Sequence, residues 1–248
     1  MGILIGIFSA KGGVGKSILA VNLAASLADA LKQSTALIDL NPGLGCTDLL
    51  LDLKSEKSWG DLKGVMGELT EEHINLAVSI HPTGLNLLTS PTSIAAGTNL
   101  DHQEIRSLLA VFRKKYDYVL LDTSTGLEAI ANLVYSLVDF RLIVLTPDGP
   151  TLRATSRYLE SKTQNKGRAG LVINQFTPAA AITPKEIKKY LKINILSVLP
   201  MDPASVWKNV SYGSPCVLQK RSKLGKSIRQ LSIALLRISA GSNHADKD

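Results

Sequence analysis

Residues 9–17, SAKGGVGKS, combine the side chains and the backbone freedom needed to hold a phosphate. A glycine-rich turn that opens a helix aims several backbone N–H groups at one anion, and the partial positive charge of the helix N-terminus adds to the attraction. The general phosphate-loop pattern is G-x-x-x-x-G-K-[ST], and Gly15, Lys16 and Ser17 fit its end. Lys16 is placed to reach β- and γ-phosphate oxygens, and the Ser17 hydroxyl to ligate Mg²⁺. Gly12, Gly13, Val14, Gly15, Lys16, Ser17 and Ile18 are therefore the candidate nucleotide-binding run. The pattern's first glycine falls on Ala10, and Lys11 follows at once. The mouth of the loop thus carries one lysine more than the pattern requires.

Two aspartates complete the chemistry. Asp122 ends the apolar run YVLLD, where an acid can hold a magnesium ion through a water molecule; the alternative is a cap for the turn that follows. Asp39 ends TALID in the same manner and points into the same crevice at the carboxyl ends of the strands. Ser17, Asp39 and Asp122 form the candidate metal set.

The elements that must position these groups are legible as alternation. Apolar runs at 3–8, 35–39, 85–90, 118–122, 141–146, 169–174 and 194–200 read as parallel strands covered on both faces, because most are continuous rather than alternating. Helical patterns fall between them, for example at 16–32, 101–115, 127–137, 151–163, 183–191 and 222–238. Thr183 with Glu186 makes a capping box, Pro184 takes the first helical position, and Asp101 caps the helix that follows it. Regular alternation predicts an α/β fold, a doubly wound and mostly parallel sheet with helices on both faces. We expect one domain over 1–240 and a disordered tail over 241–248.

The chain of 248 residues is 45% hydrophobic and 20% charged, with a formal net charge of +7. Cys46 and Cys216 form no CxxC pair, which argues against an iron–sulfur or zinc site and fits a reducing compartment. The four histidines do not cluster and are expected in surface or loop positions. ILIGIF is too short for a secretory leader and no apolar run reaches membrane-spanning length, so a cytoplasmic location is expected. The positive charge favours acidic partners, nucleic acid or an anionic membrane surface.

KGGVGKS with a lysine at 11, ALIDLNPGLGCTDLLLDL, YDYVLLDTSTG, VLTPDGPTLRAT, LVINQF and LPMDPASVWKNVSYGSPC together resemble the ParA/MinD family of ATPases over nearly the whole chain. LLLDLKSEKSWGDL and LTPDGPTLRATSRYLE look most like its CpaE/TadZ branch, and NPGLGCTDLLL is also close to the MinD branch. The resemblance implies ATP and Mg²⁺ as cofactors and an ATP-dependent homodimer in which Lys11 reaches the partner's phosphates. It implies a role for Asn174 at the adenine, where the residue-level alternative is a polar strand end. It also implies a base pocket lined by the stretch that includes Pro200 and Asp202. Lys11, Lys16, Asp39 and the residue at 41 are then the catalytic set.

One departure matters. Active members carry D-x-D in the second switch, and here the later acid is Asn41. An amide can orient water but cannot accept a proton. Slow hydrolysis is expected, with Asp48 as a conceivable substitute. The expected function is a spatial switch that positions cellular cargo, whether pilus, division, flagellar or DNA machinery, with a nearly inactive TadZ-like scaffold as the alternative. A metabolic phosphate-loop enzyme is the weakest reading, since the cysteines of iron–sulfur carriers are missing. In the last helix, Leu224, Ile228, Leu231, Leu235 and Ile238 form an apolar stripe. It reads as a closing helix on the sheet, against the alternative of a peripheral anchor at the inner face of the membrane or a pole. Arg153, Arg157, Lys208, Lys220, Arg221 and Lys223 are the candidates for a patch across a dimer that contacts DNA non-specifically, against the alternative of scattered solvated charges.

Overall fold

The computed structural model describes residues 1–92, 100–125, 128–162 and 168–242. The strands are β1 (Ile3–Phe8), β2 (Thr35–Leu40), β3 (Ser79–Ile80), β4 (Asn86–Leu88), β5 (Tyr118–Thr123), β6 (Phe140–Leu145), β7 (Arg168–Phe176) and β8 (Ile195–Pro200). They form one eight-stranded sheet in the order β3-β4-β2-β5-β1-β6-β7-β8. All pairings are parallel except β3 with β4. The helices are α1 (Lys16–Asp29), α2 (Glu71–Ala77), α3 (His102–Lys115), α4 (Ala129–Leu137), α5 (Gly149–Glu160), α6 (Pro184–Leu191), α7 (Pro203–Tyr212) and α8 (Lys223–Ser242).

Each central strand is buried on both faces, which is why its sequence is a continuous apolar run. Alternate residues divide between two cores. Leu4, Phe8, Ile38, Leu121, Ile143 and Ile173 face α2 to α6, whereas Ile5, Ile7, Leu37, Leu120, Leu142 and Val172 face α1 and α8. The doubly wound sheet predicted from the alternation is the one observed.

The α1 helix is buried on nearly every side, between the sheet and α8. Its polar positions are matched by its helical neighbours: Ser26 Oγ lies 2.8 Å from Ser232 Oγ of α8, and Asn22 Nδ2 donates to Asn209 Oδ1 of α7 at 2.8 Å. A helix held this firmly fixes the phosphate loop at its N-terminus.

Several boundaries differ from the sequence expectation. The α1 helix stops at Asp29 rather than 32, and Lys32 lies in the left-handed region at φ 51°. The α8 helix runs to Ser242, past the expected end at 238, so the expected tail begins as helix; residues 243–248 lie outside the described residues, as do the expected helix start at 127 and helix end at 163. The 3₁₀ segment Trp59–Glu68, α2 and α7 were not among the helices read from the sequence. Both expected caps are present: Asp101 with Glu104 and Thr183 with Glu186 make reciprocal capping boxes. His81 lies in the loop between β3 and β4, one of the two expected kinds of position, but is buried there, its Nδ1 2.8 Å from Thr83 Oγ1, and burial holds its pKa below the usual value.

The apolar stripe of α8 is part of the core: Leu224, Ile228, Leu231 and Leu235 are buried and Ile238 packs partly against them. The closing-helix reading holds, and this stripe is not available as a membrane anchor. Among the described residues, no helix is long and apolar enough to cross a membrane.

Candidate functional site

The loop between β1 and α1 contains the conformations the pattern requires at two of its glycines. Gly13 and Gly15 have φ of 78° and 91°, which side-chain-bearing residues rarely adopt. A Cβ on Gly15 would also lie 2.4 Å from Asn174 Nδ2. Gly12 is different: its φ is not positive and, among the described residues, an added Cβ would meet only Thr125 Cγ2, at 4.0 Å. Val14 turns its side chain into the core and anchors the loop. The N-terminus of α1 has no side-chain cap and no acid in its first turn, so its leading N–H groups are free for an anion.

The two lysines at this loop have opposite environments. Lys16 is 9% exposed, and its Nζ donates to Ser9 Oγ at 3.1 Å. Burial lowers its pKa, and the negative charges of Asp122 and Glu128 work in the other direction. Lys11 is exposed and makes no close ion pair among the described residues, although its charge acts through space on the Asp148 carboxylate.

Asp39 and Asp122 are register partners on neighbouring strands, and Ile7 of β1 is Asp122's partner on the other side. The three strand ends that carry the loop and both acids are therefore adjacent. Ser17 Oγ donates to Asp122 Oδ2 at 2.6 Å. The Asn41 amide lies between the acids, with Nδ2 donating to Asp39 Oδ1 at 2.9 Å and to Asp122 Oδ2 at 3.2 Å. Thr47 Oγ1 donates to the second Asp39 oxygen at 2.9 Å, and Trp59 Nε1 to the Asp39 carbonyl at 2.9 Å. Burial raises the pKa of Asp39, although the bonds from Asn41 and Thr47 oppose it. Burial, with the nearby Asp39 charge, pushes Asp122 up to about 7. Asp122 Oδ1 is buried and has no hydrogen-bond partner among the described residues. An orphaned carboxylate oxygen beside a serine hydroxyl and a second acid is a hard oxygen-donor set, and it fits Mg²⁺.

On the other side of the loop, β7 departs from regular strand geometry. Gln175 is in the left-handed region at φ 55°, and the pairing with β8 shifts register there. Successive strand residues ordinarily point to opposite faces, but this kink brings both amides to the loop: Asn174 Nδ2 donates to Val14 O at 2.8 Å and Gln175 Nε2 to Gly13 O at 3.3 Å. A cleft of about 400 Å³ opens here, lined among others by Gly13, Gly15, Ile18, Asn174, Pro200 and Asp202. The expected base-pocket residues are thus together at the loop. The Asp202 carboxylate is turned away to cap α7 and hold the start of α8, accepting from Ser205 Oγ at 2.8 Å, Ser222 Oγ at 3.0 Å and Leu224 N at 3.2 Å.

A family model described as an AAA domain matches residues 2–164. The septum site-determining protein MinD of Helicobacter pylori is 30% identical over 219 residues, 82% of this chain and 79% of its own. MinD of Thermotoga maritima is 27% identical over 241 residues, 94% of this chain and 87% of its own. The chain belongs to the ParA/MinD family of P-loop ATPases. Among solved structures, MinD from Pyrococcus horikoshii, complexed with Mg-ADP, superposes with a TM-score of 0.83 at 19% identity, covering 96% of this chain and 98% of that one. That likeness concerns the fold.

Within this ParA/MinD-family site, four residues escaped the sequence reading. Ser9, Thr47 and Gln175 stand inside the stretches SAKGGVGKS, ALIDLNPGLGCTDLLLDL and LVINQF, but were assigned no role. Trp59 stood inside a stretch that resembled the family, yet nothing in its spacing tied it to the Asp39 carbonyl. Cys46 lies half-buried beside the acids, where burial and the charges of Asp39, Asp122 and Asp48 push its thiol up to about 11. Buried Cys216 is pushed up to about 12 by burial and by Asp202, so both sulfurs are held as unreactive thiols. Asp48 shares a small cavity with Asp39, but its Oδ1 accepts from Leu49 N at 2.9 Å as a local cap. The six basic residues considered for DNA are all exposed, but Arg153 and Arg157 lie on α5, across the sheet from the α8 side that carries Lys220, Arg221 and Lys223. They do not form one patch within a chain.

Proposed function

We propose that this chain binds ATP with Mg²⁺, that bound ATP converts it from monomer to homodimer, and that the dimer positions a protein cargo while hydrolysing ATP slowly. The observation that carries this reading is the contrast between the two loop lysines. Lys16 is buried against its own loop, whereas Lys11 is exposed, makes no close ion pair among the described residues and interacts with Asp148 only through space, so its ammonium can meet a charge from outside the subunit. A γ-phosphate offered by a second ATP-bound copy is such a charge, so association is favoured only when nucleotide is present.

The roles of the other residues follow from the site. The free N–H groups of α1 and the loop receive the phosphates, with Lys16 as their own-subunit counter-charge. Ser17, Asp122 and Asp39 would hold Mg²⁺, which supplies charge neutralisation between β- and γ-phosphate oxygens. Asn174, Ile18 and Pro200 line the base end. Asn41 orients rather than deprotonates: its amide donates to both acids and has no basic site for a proton from the attacking water. Septum-site placement, the role in the names of the two MinD relatives, is the pathway we favour for the cargo. Asn41 also supports a second reading, a localisation scaffold that binds ATP and barely turns it over.

Single-turnover hydrolysis separates the two. Asn41→Asp restores an acid beside Asp39 and is expected to raise the rate on the order of 10²-fold. An unchanged rate would remove Asn41 as the cause of slow turnover.

A further inference from the structure

The cleft that begins at the phosphate loop ends on an aromatic face that the phosphate chemistry does not use. Trp207, midway along α7, lines it with Met201, Val206 and Val210, and 68% of the residue remains exposed. The chain's other tryptophan, Trp59, is fully buried and bonded to the Asp39 carbonyl. Gly13, Gly15 and Ile18 form the facing part of the same cleft, so one continuous space runs from the phosphate cradle to the indole. Its volume of about 400 Å³ lies within the usual span of small-molecule sites.

The polar side chains in the wall are already engaged. The amides of Asn174 and Gln175 donate to the loop carbonyls, and the Asp202 carboxylate accepts from Ser205, Ser222 and Leu224. The rest of the lining is mostly apolar, and the Trp207 indole is its largest side chain. The indole is carried on a rigid element. Asp202 caps α7, and Asn209, fully buried, donates to Leu50 O at 2.7 Å and accepts from Asn22 of α1 at 2.8 Å. The helix that bears Trp207 is therefore tied to the helix that bears the loop. A planar heteroaromatic ring attached to phosphates held at that loop matches an exposed indole at the far end of an apolar cleft.

We propose that Trp207 is a base-stacking residue: its indole receives the purine ring of the nucleotide whose phosphates occupy the 9–17 loop. The assignment rests on the ATP-binding reading above. Recognition through a ring face selects size and aromaticity, so purine nucleotides bind more tightly than pyrimidine ones.

The test is calorimetric titration of the whole chain with ATP, CTP and tripolyphosphate, each with Mg²⁺, for wild type, Trp207→Phe and Trp207→Ala. Trp207→Ala is expected to weaken ATP binding by roughly 5- to 100-fold, to narrow the gap between ATP and CTP, and to leave tripolyphosphate unchanged. Trp207→Phe should retain most of the ATP affinity. An alanine variant that binds ATP as wild type does, or that loses tripolyphosphate equally, overturns the stacking role alone. A wild type that binds tripolyphosphate but not ATP, or neither, overturns the nucleotide reading and Trp207 with it.

Discussion

At the phosphate end, the groups that matter come from one strand–loop–helix unit and two neighbouring strand ends. At the base end, the wall is assembled from residues as distant as Gly13 and Leu224. The phosphate end is also the more charged and more deeply buried, with Lys16, Asp39 and Asp122 in a polar network that leaves one carboxylate oxygen without a partner among the described residues. The base end is apolar and open, and its largest side chain is mostly exposed. One end is preorganised by backbone geometry and buried charge, the other by the packing of α7 and α8 on α1. Substitutions at the two ends should therefore fail differently.

The largest effect is expected at Gly15. An alanine there must hold a φ of 91° and place its Cβ 2.4 Å from Asn174 Nδ2, so loop and base wall are disturbed together. Gly15→Ala should lower the unfolding free energy by about 2–4 kcal/mol and weaken ATP binding by roughly 100-fold or more, read by denaturant titration and calorimetry. Loss of ATP binding with the stability intact would show that the two ends are not mechanically joined.

Next is the pH response of the buried acids. Asp122, pushed up to about 7 from an ordinary 3.8, keeps a proton in the metal-free folded state that the unfolded chain has released. Stability of the metal-free protein should then fall as pH rises through the interval between those two values, and level off above it. Thermal melts in a chelator at pH 5 and pH 8 should show a lower Tm at pH 8, and Asp122→Asn should flatten the difference. A Tm that rises over this range in wild type would contradict the electrostatics of the phosphate end.

Gly12→Ala should have the smallest effect. With no positive φ and 4.0 Å to the nearest atom among the described residues, the alanine fits, and unfolding stability should stay within about 0.5 kcal/mol of wild type. A large loss would mean that the loop's glycines act as one unit, against the distinction drawn between Gly12 and its neighbours.

The same contrast explains what was legible in the sequence. Gly15, Lys16, Ser17, Asp39 and Asp122 could be read because their geometry is set within short segments, a loop that opens a helix and acids that end strands. The strand pattern was readable for a similar reason, since burial on both faces writes continuous apolar runs such as VLL in β5 and LIVL in β6. Trp207 and Gln175 were not legible. Their roles depend on the register kink in β7 and on the tie between Asn209 and Asn22, and neither leaves a local signature. The α7 helix went unread as a helix although Asp202 and Pro203 mark its start, because its apolar positions face the cleft as well as the core. Asn41 was visible as a departure from a pattern; that its amide bridges two buried acids required the structure.

The central claim is that ATP makes Lys11 useful only across a subunit boundary. Its most direct test is the mass of wild type and Lys11→Ala by light scattering after size exclusion, with and without ATP and Mg²⁺, in conditions where both bind nucleotide. The account predicts a wild type that doubles its mass only with ATP and Mg²⁺, and a Lys11→Ala variant that stays monomeric. A wild type that remains monomeric with ATP bound, or a variant that dimerises equally well, would contradict it.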